Sequence, residues 1–222
     1  MHLALFDLDH TLLSADSDIL WCDFLVKEGL LEPEVREHAA EIEARYTSGI
    51  VTPPEYCDFF AATLAGRTAV ELQPIRERFL AEAVRPLIPE DSRALLRRHR
   101  EAGDTLVLTT ATNRVVSELT ALDLGVDHYL CTELACVDGR YTGRTTGVLN
   151  MRTGKLERLR TWLAELGETE QVLKRARFYS DSINDLALLS VVGFPTVVDP
   201  DPRLESTALR KGWAMLRFDR RR

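Results

Sequence analysis

The sequence predicts an α/β protein whose Rossmann-like parallel sheet carries helices on both faces, with a helical unit inserted after the first strand. Two observations predict this fold. Short apolar runs alternate along the chain with amphipathic stretches of helical length, which is the pattern of a parallel sheet covered on both sides. The first two runs are also far apart. Thr105 lies 96 positions after Asp9, whereas a βαβ crossover takes about 30 residues.

Five short apolar runs are predicted as strands: residues 3–6, 105–110, 129–132, 176–180 and 194–198. The first, Leu-Ala-Leu-Phe, ends directly at charged residues, as a central parallel strand does. Helices are predicted over residues 90–102, 115–122 and 156–166, and a glycine follows each of them. Residues 135–147 contain the turn sequence Val-Asp-Gly-Arg-Tyr and are predicted to form a β-hairpin.

The long segment between the first two strands is predicted to be helical. Three apolar groups lie in it, around Trp21, around Phe59 and within residues 70–84, and prolines separate them. We therefore expect a core made of residues 1–14 and 88–222 and a helical cap domain made of residues 15–87. Such an insertion lies over the carboxyl end of the first strand, where open parallel sheets bind their ligands, so the cap is a candidate lid.

The composition excludes several classes of function. The chain has 222 residues, of which 45% are hydrophobic and 28% are charged, and its formal net charge is −7. A chain this acidic is not expected to bind nucleic acid, because binding to the phosphate backbone depends on dense lysine and arginine. No apolar stretch reaches the roughly 18 residues of a membrane span, and no leader peptide is expected.

The cysteines indicate a reducing environment. Cys22, Cys57, Cys131 and Cys136 show neither a Cys-x-x-Cys pair nor a histidine at metal-binding spacing. We therefore expect reduced thiols in a cytoplasmic protein. The sequence leaves the oligomeric state open.

Two pairs of carboxylates follow predicted strands. Asp7 and Asp9 come directly after the first strand, and Asp181 and Asp185 lie between the fourth strand and the next helix. If the two strands are neighbours, the four carboxylates meet in one crevice and need a cation to compensate their charge. Oxygen ligands on short turns suit Mg²⁺, which keeps part of its water shell and bridges to substrate phosphates.

Two further segments complete this pattern with groups that bind anions. Thr110 and Ala111 lie in a Thr-Thr-Ala-Thr-Asn segment that joins a predicted strand to a helix, so hydroxyl and amide groups are expected to face the crevice at a helix N-terminus. Lys155 opens another predicted helix, and its ammonium group would reach a phosphate oxygen. A metal, hydroxyls, amides and a lysine together predict a phosphoryl site with a carboxylate available as the nucleophile.

Each feature has a simpler explanation when it is taken alone. The first aspartate pair would be solvated turn residues, Thr110 a helix cap, Lys155 a surface residue and the second pair a helix cap. All four features nevertheless follow a predicted strand or open a predicted helix. That shared placement favours the phosphoryl site.

The motifs resemble those of the haloacid dehalogenase superfamily of phosphohydrolases, and in particular its phosphoserine phosphatase-like branch, subfamily IB. The matching stretches are FDLDHTLL, LVLTTATN, the Gly-Lys pair at 154–155 and YSDSINDLALL. They cover most of the chain and occur in the family's order. The helical insertion resembles the first type of cap found in this family.

The resemblance assigns a role to each motif residue. It implies that Asp7 is the nucleophile that forms an aspartyl-phosphate, and that Asp9 is the acid/base that protonates the leaving group and then activates water. Asp181 would bind Mg²⁺ together with Asp7 and the backbone carbonyl of Asp9. Asp185 would support Lys155 or a metal-bound water. The residues implied to bind the phosphoryl group are Thr110, Ala111, Lys155 and Asn184.

The resemblance also suggests a class of substrate. Asp16 follows Asp9 by seven positions, where phosphoserine phosphatases carry a glutamate that contacts the substrate's amino group. The second motif differs from the Ser-Gly-Gly of that branch, and the chain looks most like a bacterial subgroup named histidinol-phosphatases. Histidinol phosphate would suit an acidic pocket with Asp16, Asp18 and aromatic Trp21. The alternative for the two aspartates is an N-cap of the first cap helix.

Three other functions stay open on the sequence. The substrate would instead be phosphoserine, or the aspartyl-phosphate would pass to an alcohol in a phosphotransferase. A receiver-type signalling module also uses a phosphorylated aspartate in an α/β fold, but the large insertion and Asp9 count against it. In the favoured case the partner is a small phosphomonoester.

Overall fold

A seven-stranded sheet forms the centre of the molecule, which we describe for residues 1–220 from a computed structural model. The strands are β1 (Leu3–Phe6), β2 (Thr105–Asn113), β3 (His128–Val137), β4 (Arg140–Thr146), β5 (Arg177–Ser180), β6 (Phe194–Val198) and β7 (Ala214–Leu216). Their order across the sheet is β4-β3-β2-β1-β5-β6-β7. The first strand of the chain therefore lies at the middle of the sheet.

All neighbouring strands run parallel except β3 and β4, which form an antiparallel hairpin. Phe6 at the end of β1 is in register with Leu108 of β2 and Tyr179 of β5. The carboxyl ends of β1 and β5 are therefore adjacent, as the two carboxylate pairs required. The α/β fold and the hairpin over residues 135–147 are confirmed, whereas β7 was not predicted.

Helices cover both faces of the sheet. They are α1 (Ser17–Lys27), α2 (Val35–Thr47), α3 (Pro53–Ala62), α4 (Ala69–Phe79), α5 (Glu90–Glu101), α6 (Arg114–Leu124), α7 (Thr153–Glu165), α8 (Leu186–Leu189) and α9 (Pro202–Lys211). Ala4 and Phe6 of β1 pack with residues of α5 and α6, whereas Leu3 and Leu5 pack with residues of α7, α8 and α9. A strand buried on both faces needs the unbroken apolar run seen in the sequence.

All elements of regular secondary structure in the long insertion are helical. It contains α1 to α4, and further helical turns at Leu80–Val84 and Arg85–Leu87 lead into α5. Thr52 and Thr68 each accept a hydrogen bond from the backbone N–H of the glutamate three residues later, so that capping boxes start α3 and α4. The division into a core and a cap domain at residues 14 and 88 stays a prediction.

The β3–β4 hairpin fastens the insertion to the sheet. Asp58 of α3 accepts hydrogen bonds from the backbone N–H and the hydroxyl of Thr145, at 2.9 and 2.8 Å. Gly143 has a φ of +78°, and a Cβ there would lie 2.9 Å from the Cβ of Ala65, so this close approach requires glycine. Within residues 1–220, no helix is long and apolar enough to cross a membrane.

Candidate active site

Asp7 lies where β1 leaves the sheet. Its backbone N–H donates to the carbonyl oxygen of Tyr179 at 2.9 Å, which ties the residue to the neighbouring strand β5. A wide turn, Leu8–Leu12, follows, and within it Asp9 is extended while His10 has a φ of +54°. A side chain other than glycine rarely adopts that backbone conformation. Asp7 and Asp9 line the same cavity, so the turn brings the two carboxylates to one place.

Lys155 joins Asp7 to the second carboxylate pair. Its Nζ donates to Asp7 Oδ1 at 2.9 Å and to Asp185 Oδ2 at 2.7 Å, and Ser180 Oγ also donates to Asp185 Oδ2 at 2.7 Å. Gly154 permits this placement, because a Cβ at that position would clash with the carbonyl oxygen of Leu149. Lys155 and Asp185, predicted to lie together, therefore do so beside Asp7.

The site concentrates charge in a buried place. Burial raises the pKa of Asp7 to about 7, against the opposing effect of the Lys155 ammonium, and Asp185 and Asp9 raise it further. Burial acts to lower the pKa of Lys155, but the carboxylates of Asp185 and Asp7 outweigh it, and the net shift is upward. Burial, with repulsion from Asp7, also raises the pKa of Asp181. Burial is the main cause of both raised pKa values, so a cation in addition to Lys155 would stabilise the charged forms of Asp7 and Asp181.

This charge balance fits a hard cation. Asp181 lines the cavity with Asp7 and Asp9, and Thr11 fixes it through two hydrogen bonds of 3.0 Å, one donated to Asp181 Oδ1 and one accepted from the Asp181 backbone N–H. The residues implied for Mg²⁺ supply two carboxylates and one backbone carbonyl, all oxygen donors. Nowhere in residues 1–220 do three histidine, cysteine, aspartate or glutamate side chains group as metal ligands. The implied set does not need a third.

Asp9 is held at both carboxylate oxygens. Its Oδ1 accepts from the backbone N–H of Ser17 at the start of α1, at 2.8 Å, and its Oδ2 accepts from Thr112 Oγ1 at 2.7 Å. The Ser17 and Thr112 hydroxyls are 3.0 Å apart. No sequence pattern singles out Thr112, which lies beside Asp9 only because β1 pairs with β2.

The second motif differs from the expectation. Residues 105–110 were predicted as the strand, but β2 continues to Asn113, and α6 begins only at Arg114 with Asn113 as its cap. Thr110 lies inside the strand, as predicted, and is fully buried, whereas residues 111–113, expected to link the strand to the helix, belong to the strand as well. Ala111 lines the cavity, as does Asn184, whereas Thr110 does not.

Asn150, a residue missed by the sequence reasoning, fixes this strand. Its Nδ2 donates to Thr109 Oγ1, to the Thr110 carbonyl and to the Leu130 carbonyl, at 3.0, 2.8 and 3.1 Å. It is fully buried. A buried asparagine that bridges β2 and β3 sets the path of the strand past the catalytic crevice. In the sequence, only its position shortly before Gly154-Lys155 could have marked Asn150 as a residue of the site.

A cavity of about 500 Å³ opens from the carboxylates toward the helical insertion. Its lining also includes side chains that the sequence reasoning did not assign to the site: Glu43, Tyr46, Tyr56, Met151, Arg152 and Arg203. Those of Glu43, Tyr46 and Tyr56 belong to the helical insertion and form the far end of the cavity. Tyr46 and Tyr56 stack with their ring centroids 4.5 Å apart, and the Tyr56 hydroxyl donates to Glu43 Oε2 at 2.7 Å. The cavity thus has a catalytic end and an end with aromatic and charged groups.

Arg152 crosses from the core to the insertion at that far end. Its Nε donates to the Tyr46 hydroxyl at 3.0 Å, and its guanidinium lies 4.8 Å from the centroid of the Tyr46 ring. The backbone of Arg152 has a φ of +51° and a ψ of −128°, a region that costs a residue other than glycine of the order of 1–3 kcal/mol. Strain of this kind is concentrated at functional sites.

The three residues expected to set specificity occupy different places. Asp16 caps α1, accepting from the Ile19 backbone N–H at 2.9 Å, as the alternative interpretation predicted. It also lines the cavity, and its contact with a substrate stays a prediction. Burial, with repulsion from Asp9, raises its pKa to about 8. Asp18 is buried behind the cavity wall, 3.4 Å from Asn113 Nδ2.

Trp21 does not line the cavity. Its side chain is fully buried and meets Phe79 edge-on with the ring centroids 5.0 Å apart. The hydrophobic effect places this large ring in the core of the insertion, and the rings at the cavity belong to Tyr46 and Tyr56. The expectation of a substrate contact by Trp21 is therefore wrong.

Comparisons with known proteins identify the family of this chain. A model of the haloacid dehalogenase-like hydrolase family matches residues 4–190. A histidinol-phosphatase from Neisseria meningitidis serogroup C (strain 8013) is 39% identical over 225 residues, which cover 98% of this chain and 99% of that relative. Phosphoserine phosphatase SerB1 of Mycobacterium tuberculosis (strain ATCC 25618 / H37Rv) is 36% identical over 157 residues, 71% of this chain and 50% of that protein.

Solved structures share the fold. A protein of unknown function from Bordetella pertussis Tohama I has a TM-score of 0.93 at 38% identity, covering 99% of both chains. A substrate-bound phosphoserine phosphatase has a TM-score of 0.71 at 16% identity, covering 96% of this chain and 91% of that one, which shows the shared fold alone. The resemblance drawn from the motifs is confirmed. The chain belongs to the haloacid dehalogenase-like hydrolase family and is a phosphatase of that family.

Proposed function

We propose that this phosphatase hydrolyses a small, amine-bearing phosphomonoester through an aspartyl-phosphate on Asp7, with Mg²⁺ as cofactor, and that its substrate is histidinol phosphate. The observation that carries the chemistry is the buried cluster of Asp7, Lys155 and Asp185, with Asp181 beside it. A nucleophilic carboxylate, a fixed cation and a further carboxylate for a metal are the parts that two-step phosphoryl transfer needs.

The first step forms a bond between a carboxylate oxygen of Asp7 and phosphorus while the bond to the leaving oxygen breaks. Asp9, in its protonated form, donates its proton to the leaving alkoxide, and the alcohol departs. In the second step Asp9 takes a proton from water, which attacks phosphorus and releases phosphate, so that Asp7 is regenerated and Asp9 is protonated again. The Ser17 amide and the Thr112 hydroxyl orient Asp9 for both transfers.

Lys155 supports the first step by its position. Its ammonium contacts Asp7 and Asp185 at once, so it keeps the nucleophile in place and adds positive charge where phosphoryl oxygens would lie. Asp7, Asp181 and the Asp9 carbonyl would hold Mg²⁺, which when bound offsets the negative charge of the phosphoryl group and the carboxylates. The same oxygen donors favour Mg²⁺ over softer metals.

The far end of the cavity supports an amine substrate. Asp16 and Glu43 contribute acidic groups to the cavity, and the rings of Tyr46 and Tyr56 line it. A cation beside carboxylates and aromatic faces is favoured on both counts. The relative named histidinol-phosphatase, similar over nearly the whole chain, supports the same substrate.

Phosphoserine is the second candidate, and Arg152 is the observation that favours it. A guanidinium at the cavity would bind the carboxylate that phosphoserine has and histidinol phosphate lacks. Steady-state turnover of both substrates, with Mg²⁺ and with a chelator, tests the proposal. Preference for histidinol phosphate supports it, preference for phosphoserine replaces the substrate, and transfer to an added alcohol in place of water would make the enzyme a phosphotransferase. The cytoplasmic location stays a prediction.

A further inference from the structure

Arg220 reaches across the molecule to the turn that follows the nucleophile. Its Nη2 donates to the carbonyl of His10 at 2.6 Å and to that of Thr11 at 3.2 Å. Its Nη1 donates to the carbonyl of Leu13 at 3.2 Å and to Ser14 Oγ at 3.1 Å. One guanidinium therefore donates to four oxygens within residues 10–14, in the turn and directly after it, about 210 positions away in the sequence.

An aspartate orients this guanidinium. Asp199, which follows β6, accepts from Arg220 Nε at 2.7 Å, and the pair is partly buried, with side-chain exposures of 23% and 24%. Asp199 also accepts from the backbone N–H of Phe218 at 3.4 Å. The Asp199 contact orients the planar fork of Arg220 so that its two outer nitrogens meet the turn.

The turn needs such support. His10 has a positive φ, and Asp9 leaves helical geometry, so that the carbonyls of residues 10–13 are not directed along a strand or a regular helix. Backbone oxygens turned away from regular structure require another donor. Arg220 supplies it with a charged group, whose hydrogen bonds are stronger than those of neutral donors.

Residues 9–14 determine the positions of three parts of the molecule. Asp9 is in it, Thr11 holds Asp181 through two hydrogen bonds of 3.0 Å, and the Ser14 backbone N–H donates to the Leu87 carbonyl at 2.9 Å. The Ser14–Leu87 bond joins the two ends of the helical insertion. A change in the turn would therefore displace the acid/base, Asp181 and the root of the insertion together.

We propose that Arg220 is a positioning residue, which holds the Leu8–Leu12 turn so that the carboxyl group of Asp9 meets the leaving oxygen. This inference rests on the proposed function. Arg220 does not line the catalytic cavity, so it acts through the turn and not on the substrate.

The test compares Arg220→Ala with Arg217→Ala in the 222-residue chain. Arg217 contacts Glu205 and lies 3.9 Å from Asp199, but it does not touch the turn. Turnover is measured on an alkyl phosphate and on p-nitrophenyl phosphate. The first has a poor leaving group that needs the proton of Asp9, and the second has a good leaving group that needs it less.

Arg220→Ala is expected to lower kcat on the alkyl phosphate by about 10-fold or more, within the range of general acid catalysis, with a smaller loss on the aryl phosphate and little change in KM. Guanidinium chloride at about 20 mM, far below the molar concentrations that unfold proteins, should restore part of kcat relative to equal sodium chloride. Arg217→Ala should leave the ratio of the two substrates unchanged.

Equal losses on both substrates, or no loss in Arg220→Ala, would overturn the proposal. Hydrogen exchange provides a readout independent of activity, because peptides that contain residues 8–14 should exchange faster in Arg220→Ala and not in Arg217→Ala. If the wild-type chain hydrolyses no phosphomonoester, the proposed function fails, and unchanged exchange in the turn separately overturns the role of Arg220.

Discussion

Replacement of Lys155 by methionine should destabilise the protein far more than the loss of an exposed lysine. The Lys155 side chain is 3% exposed and contacts Asp7 and Asp185, whose side chains are 10% and 3% exposed. Methionine keeps much of the volume but leaves two buried carboxylates without their cation. Removing one partner of a buried ion pair costs about 3–5 kcal/mol, because the remaining charge is neither solvated nor paired.

The assay is urea unfolding at pH 7 with a chelator present, so that no divalent cation replaces the ammonium. Lys27→Met is the matched control, since Lys27 is 68% exposed and lies 3.7 Å from Glu82. Exposed pairs of this kind contribute about 0–1 kcal/mol. Addition of Asp185→Asn to Lys155→Met should recover part of the loss, because it removes the Asp185 charge that Lys155 no longer pairs.

The reasoning would be refuted if Lys155→Met lowered the free energy of unfolding by no more than Lys27→Met does. It would also be refuted if Asp185→Asn made the Lys155→Met variant less stable. Either result would mean that the two carboxylates are solvated or neutralised by other groups, so that Lys155 is not their main partner.

Three further predictions concern Asp16, Glu43 and Thr112. The pKa of Asp16 is raised to about 8, so the folded wild-type chain binds the proton of the Asp16 carboxyl group more tightly than the unfolded chain does. The free energy of unfolding should therefore fall as pH rises from about 4 to about 8. Asp16→Asn keeps a good cap, so its stability relative to wild type should increase over that interval in urea titrations; a constant difference would contradict the shift. Glu43→Gln should raise KM for histidinol phosphate about 10-fold and leave KM for an amine-free phosphoester unchanged, whereas exposed Glu41→Gln on the same helix should change neither; equal effects on both substrates would remove Glu43 from recognition. Thr112→Val removes the hydroxyl 2.7 Å from Asp9 Oδ2 and should lower kcat on alkyl phosphates about 10-fold, with p-nitrophenyl phosphate less affected; a uniform loss would indicate damage to the fold.

The sequence was sufficient to predict the site residues that directly follow a strand or open a helix. Asp7 and Asp181 each follow a short apolar run, and the rule that parallel strands bring their carboxyl ends to one edge was enough to bring them together. Lys155 was identifiable for the same reason, since it opens a helix beside that edge.

The sequence was insufficient where a position depends on packing between distant segments. Trp21 and Tyr46 are both aromatic residues of the insertion, and only the packing of its helices decides that Trp21 is buried while Tyr46 faces the cavity. Glu43 belongs to no motif, so nothing local marks it. The end of β2 was misplaced because the strand continues three residues beyond the predicted run, and Asn150 holds the strand at the Thr110 carbonyl.

The central claim is that Asp7 carries the phosphoryl group. Acid quenching during turnover of a phosphomonoester, followed by mass spectrometry of the peptides, tests it most directly. The account predicts a phosphoryl group on the peptide that contains Asp7, lost on treatment with hydroxylamine, and neither adduct nor turnover in a folded Asp7→Asn variant. An adduct on another residue, or normal turnover by Asp7→Asn, would contradict it.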